Sequence, residues 1–92
     1  MPLEPSYTNR FERDLKRMLQ RGRDPLKIKE VIARLIHQEP LDPKHRDHKL
    51  MGNYRGRRDC HVESDWVLIY KPDAESGRII FERTGTHADL FR

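Results

Sequence analysis

The sequence predicts an α+β fold in which two helices precede an antiparallel sheet. Three observations carry that expectation. Apolar residues recur at helical spacing through roughly the first third of the chain and at strand spacing in its second half, and a Pro/Gly-punctuated connector separates the two regimes. The 92 residues suit one domain, 1–92, with a helical hairpin over about 9–38 and a sheet-forming half over about 46–92. With 35% hydrophobic and 37% charged residues, its core must be thin.

Each element has its own signal. Residues 3–7 suit a short edge strand, although Pro2 and Pro5 weaken it. In "YTNRFERDLKRMLQRG", Phe11, Leu15, Met18 and Leu19 share a helical face, with Thr8 or Asn9 as N-cap and Gly22 as the stop. Asp24 and Pro25 match the cap and first position of a second helix. Its apolar stripe is Ile28, Val31, Ile32, Leu35 and Ile36, and its polar face is basic. "QEPLDPKHRDHKLMGNYRG" is the connector. Residues 57–63 and 66–71 then read as strands joined by a two-residue turn, Ser64-Asp65. "PDAESG" turns into a third strand, 78–83, and a short segment, 86–91, follows Thr84-Gly85.

That turn predicts a register. Glu63 opposes Trp66, Val62 opposes Val67, His61 opposes Leu68 and Cys60 opposes Ile69, and opposed residues share a face. Cys60, Val62, Val67 and Ile69 would lie under the helices. Asp59, His61, Trp66, Leu68 and Tyr70 would lie on the other face, and Cys60 would be a small core residue rather than a reactive thiol.

Charge is unevenly placed. Residues 9–29 carry eight basic and three acidic groups, residues 44–58 six and one, and residues 59–92 four and seven. Two basic blocks fit a polyanion such as nucleic acid, or simply solvated faces. A lone cysteine permits no internal disulfide, and no apolar run approaches the roughly 20 residues of a membrane span. The expectation is a soluble cytoplasmic protein with no membrane partner.

Four of the five histidines, His45, His48, His61 and His87, fall in the connector or the sheet-forming half. Imidazole exchanges protons near neutrality. RNA cleavage without a metal needs one group to deprotonate the 2′-hydroxyl, another to protonate the departing 5′-oxygen, and cations to stabilise the phosphorane. Arg55, Arg57, Arg58 and Arg83 could supply those cations. His37 and His45 read as polar surface. The histidines with Asp59 and Asp65 also admit a zinc site, but their spacing fits no trusted metal pattern and the basic surroundings disfavour a cation. No metal and no cofactor are therefore expected. A further reading is a binding module without chemistry, in which basic groups hold phosphates and Trp66 or Phe91 stacks on a base.

"DHKLMGNYRGRRDCHVESDWVLIYK" followed by "FERTGTHADLF" closely resembles the YafQ branch of the RelE-like toxins, with dense similarity over residues 47–91. The resemblance implies the small RelE-like fold, an antiparallel sheet of about four to five strands covered on one face by two N-terminal helices. It implies a ribosome-dependent mRNA interferase, monomeric as a toxin and neutralised in a hetero-oligomer with its cognate antitoxin. Ribosomal RNA and mRNA would be its other partners. The family's functional residues fall on His48, His61, Asp65, His87 and Phe91, and Asp59 and Trp66 match positions that shape or support the site. On this reading His87 is the general acid, and His48 or His61, poised by Asp65, is the base. Ser64, Tyr54, Cys60 and Arg57 depart from the family pattern, which places codon preference beyond the resemblance.

Overall fold

The computed structural model describes residues 1–91. Strand β1 (Glu4–Tyr7) leads into helix α1 (Asn9–Gln20) and helix α2 (Pro25–Ile36). The connector holds strand β2 (His48–Lys49) between two 3₁₀ turns, Pro43–His45 and Gly52–Tyr54. Strands β3 (Arg58–Glu63), β4 (Trp66–Asp73) and β5 (Arg78–Gly85) follow, and helix α3 (His87–Leu90) comes last. β2 was not foreseen, since two strand residues among prolines and glycines leave no periodic trace.

Local chemistry accounts for the helices. The Thr8 hydroxyl accepts a hydrogen bond from the Phe11 amide to cap α1. Asp24 caps α2 through the Leu26 amide, with Pro25 at its first position. Between them Gly22 takes φ +91°, a left-handed conformation costly for other residues. Phe11, Met18, Ile28, Val31 and Leu35 are buried, as their spacing predicts, and Leu15, Ile32 and Ile36 pack against them.

The five strands form one sheet in the order β1-β5-β4-β3-β2. It is mixed rather than wholly antiparallel, because the edge strand β1 runs parallel to β5, from Glu4 beside Arg78 to Tyr7 beside Phe81. Pro5 is tolerated there because an edge strand does not need every amide.

The expected hairpin register is corrected by a bulge. Glu63 does oppose Trp66, but the ladder shifts between His61 and Glu63. His61 then opposes Val67, Cys60 opposes Leu68, Asp59 opposes Ile69 and Arg58 opposes Tyr70. The one extra residue on β3, Val62, exchanges the two faces of β4. Trp66, Leu68 and Tyr70, not Val67 and Ile69, join Cys60, Val62, Ile79 and Phe81 in the main core with the helices. Val67 and Ile69 turn to the opposite face, where Leu90 of α3 covers them alongside Leu50 and Tyr54. β4 is thus buried on both sides, and its unbroken apolar run could not reveal which face was which.

Candidate active site

The face away from the helices gathers the histidines. His48, on β2, stands opposite Asp59, on β3. His61 lies two residues further along β3. His87 opens α3, and its ring meets His61 edge-on with centroids 5.1 Å apart. Phe91 follows with its ring 5.9 Å from His87 and 5.8 Å from Tyr54, and it remains 42% exposed.

α3 is only four residues long, so tertiary contacts must seat it. Thr86 and Asp89 form a reciprocal capping box. The Arg21 guanidinium, at the end of α1, donates to Asp89 Oδ2 at 2.8 Å and holds that carboxyl well below the ordinary carboxylate range. A Cβ at Gly85 would come within 3.0 Å of the Asp89 carboxylate, so this position has little room for a side chain. Leu90 seals α3 onto Val67 and Ile69, and the Tyr54 hydroxyl donates to the Leu90 carbonyl at 3.3 Å.

The seated His87 has its Nδ1 3.0 Å from Asp65 Oδ1, and its backbone amide donates to the same oxygen at 3.2 Å. These hydrogen bonds lower the Asp65 carboxyl from its ordinary range. They also leave His87 Nε2 facing outward from the carboxylate. Asp65 therefore serves His87, and the expected pairing of Asp65 with His48 or His61 is corrected. The carboxylate at the hairpin turn faces α3, which residue spacing along one hairpin could not disclose.

His48 has different partners. Its Nδ1 lies 2.7 Å from the Arg46 carbonyl oxygen, and its Nε2 approaches Asp59 Oδ1 at 3.1 Å. Asp59 is 3% exposed, and burial pushes its carboxyl up, against the opposing pull of nearby His48, His61 and His87.

The other expected residues divide into three groups. Trp66 is fully buried and donates its indole N–H to Thr84 Oγ1 at 2.8 Å, so stacking of Trp66 on a base is corrected to support from beneath. Arg83 is committed to the buried Asp14 of α1, with Nε 2.6 Å from its carboxylate. Arg57 pairs with Glu82 at 3.0 Å and Arg58 with Asp47 at 3.2 Å, and the Tyr70 hydroxyl also donates to Asp47. Only Arg55 of the four arginines makes no ion pair among the described residues. Cys60 is wholly buried and its thiol is pushed far up by burial, consistent with a core role.

His45, read from sequence as polar surface, has its Nδ1 2.6 Å from the His61 carbonyl oxygen. It lines a cavity of about 490 Å³ with His61, Lys27, Lys44 and Arg46. Its position three residues before His48 was the only available signal. Among the described residues, no group of three or more His, Cys, Asp or Glu side chains is arranged to hold a metal ion.

A cluster of imidazoles, one backed by a carboxylate and flanked by cations and an exposed aromatic ring, is equipped for proton transfer on a phosphodiester. The comparisons with known proteins agree in kind. The profile of the family described as bacterial toxin of type II toxin-antitoxin system, YafQ, matches residues 3–92. The mRNA interferase toxin YafQ of Escherichia coli (strain K12) is 44% identical over 86 residues, spanning 92% of this chain and 91% of that protein. The toxin in the crystal structure of the E. coli DinJ-YafQ toxin-antitoxin complex is 40% identical, with a TM-score of 0.89 over 100% of both chains. A metal-bound toxin from Helicobacter pylori is 31% identical, with a TM-score of 0.90 over 97% of this chain and 99% of that one.

Proposed function

From the premise that the chain belongs to the YafQ family of bacterial type II toxins, we propose that it is an mRNA interferase. It acts in the cytoplasm as an endoribonuclease on ribosome-bound mRNA, and a cognate antitoxin neutralises it. The observation that carries the site assignment is the Asp65–His87 contact beside His61. The mRNA interferase relative supports the activity, and the relative crystallised with DinJ supports the antitoxin partner.

The reaction is in-line attack by a 2′-hydroxyl, leaving a 2′,3′-cyclic phosphate. His87 is the general acid: Asp65 accepts from Nδ1 and orients the ring, so that Nε2 can protonate the departing 5′-oxygen. His48 or His61 takes the 2′-hydroxyl proton. Arg55 and the cations near His61 offset charge on the phosphorane, and Phe91 stacks on a base of the bound codon.

Mapping mRNA ends after induction tests this directly. New internal ends within translated codons are expected, and they should disappear with His87→Ala. Growth arrest with unchanged mRNA ends would point instead to a nonenzymatic RNA- or ribosome-binding module. Cleavage should also survive a chelator once the ribosome's magnesium requirement is met. Stoichiometric zinc whose removal unfolds the protein would favour a structural metal.

A further inference from the structure

Asp59 Oδ1 is the one buried side-chain nitrogen or oxygen among the described residues that lacks a hydrogen-bond partner. Such groups are rare, because burial strips water from an oxygen that still needs a donor. The imidazole of His48 stands beside it, with Nε2 at 3.1 Å but off the line of a hydrogen bond. The opposite ring nitrogen, Nδ1, lies 2.7 Å from the Arg46 carbonyl oxygen.

That second contact fixes the ring's protonation pattern. A carbonyl oxygen only accepts, so His48 Nδ1 carries a hydrogen, and in neutral imidazole Nε2 then holds the lone pair. An ionised Asp59, itself buried beneath the half-exposed His48 ring, would present a second acceptor to that lone pair at 3.1 Å. One proton between the two atoms removes the conflict and satisfies Oδ1. A small rotation of the ring brings it into line.

We infer that Asp59 Oδ1 and His48 Nε2 share a single proton, making Asp59 a positioning residue that decides which histidine serves as base. The inference deepens the nuclease reading and rests on it for its catalytic consequence. With Nε2 of His48 occupied, His61 takes the 2′-hydroxyl proton. The O2′–P bond forms, the P–O5′ bond breaks, and O5′ leaves with the proton from His87 Nε2. His48 can substitute for His61 only after the shared proton has left.

The groups facing Asp59 fit this. His48 approaches from β2, His61 from its own strand and His87 from α3, with Asp47 of the connector as the opposing acidic neighbour. Burial favours a protonated carboxyl, whereas charge on any of the three imidazoles opposes it. The pair therefore keeps its proton most firmly when His61 is neutral, the state a base requires.

Nitrogen and carbon NMR on the full-length toxin tests the pair without reference to cleavage. At pH 7, His48 Nε2 is expected outside the free lone-pair range, with the Asp59 carboxyl carbon responding to pH at the same midpoint. A free Nε2 beside a fully ionised Asp59 would overturn the inference. Asp59→Asn should alter the His48 Nε2 signal while Nδ1 stays protonated, and an unchanged signal counts against sharing. If that variant fails to fold, the parent's own paired titration decides. In kinetics, His61→Gln should cleave poorly at neutral pH and gain activity as pH rises. Adding Asp59→Asn should recover roughly tenfold or more of the 10²–10⁴-fold that a general base contributes. No recovery would sink the assignment of His61. A shared proton in a protein that cuts no RNA would uphold the pair and refute the nuclease reading.

Discussion

At the scale of single residues, the proposed function rests on which carboxylate faces which histidine. His87→Ala is expected to abolish growth arrest and slow mRNA cleavage by about 10²–10⁴-fold, with the fold intact because the ring is half exposed. Asp65→Asn should retain the turn but lose the charged anchor of His87. The Asp65 carboxyl is lowered by its contact with His87. The anchor is therefore fully present above the ordinary carboxylate range and fades only as pH falls through the depressed folded value. Parent and Asp65→Asn cleavage should accordingly differ most at neutral pH and converge in acid, and a constant ratio would separate Asp65 from the chemistry. Trp66→Phe tests a different role. It removes the hydrogen bond to Thr84 and should cost about 1 kcal/mol in a denaturation experiment while cleavage persists. The residue types of the site were legible in the sequence, because histidines, acids and arginines crowd one short region. Their partners were not. Asp65 faces His87, 22 residues further along the chain, and Arg83 is held by Asp14 from α1.

At the scale of elements, the four residues of α3 depend on α1. Asp89→Asn should weaken the Arg21 clamp and the capping box and let His87 wander. Small misplacements of a reacting group cost much rate, so cleavage should fall by roughly 10–100-fold alongside only a modest drop in the thermal midpoint from the weakened cap. Because Asp89 sits well below the ordinary range, its contribution should persist far into acid before it is lost. Equal losses of activity and of thermal stability would mean that the whole fold, not the seat, had been damaged. The helices were legible because their caps and stripes are local signals. The hairpin register was not, since Val62 enters as a bulge and β4 carries apolar residues on both faces. Alternation along β3 kept His61 and Asp59 off the helix-covered core even though the facing of β4 was read in reverse.

At the scale of the whole molecule, the proposed function would divide the work of binding RNA between the two basic blocks and the histidine face. Lys16, Arg17 and Lys49 are expected to hold ribosomal phosphates, which position without specifying sequence. Reversing their charge should weaken ribosome binding broadly, and each lost contact should reduce the slope of log affinity against log salt by about one. Phe91 variants should change cleavage efficiency or codon choice at nearly constant slope. Identical slopes for charge-reversed and parent proteins would remove these faces from the docking surface.

The parallel pairing of β1 with β5 also sets a timetable. It joins Glu4 to Arg78, and the Thr8 hydroxyl reaches the Glu82 carbonyl across 74 positions of sequence. Asp14 likewise grips Arg83 and the Thr84 amide. Long-range closures are slow because chain entropy must be surrendered before the contacts form. α3 and its histidine hang from the strand that those closures fix. Assembly of the histidine face is therefore expected to wait until β1 has met β5, and refolding followed by fluorescence should show cleavage activity returning no earlier than that closure.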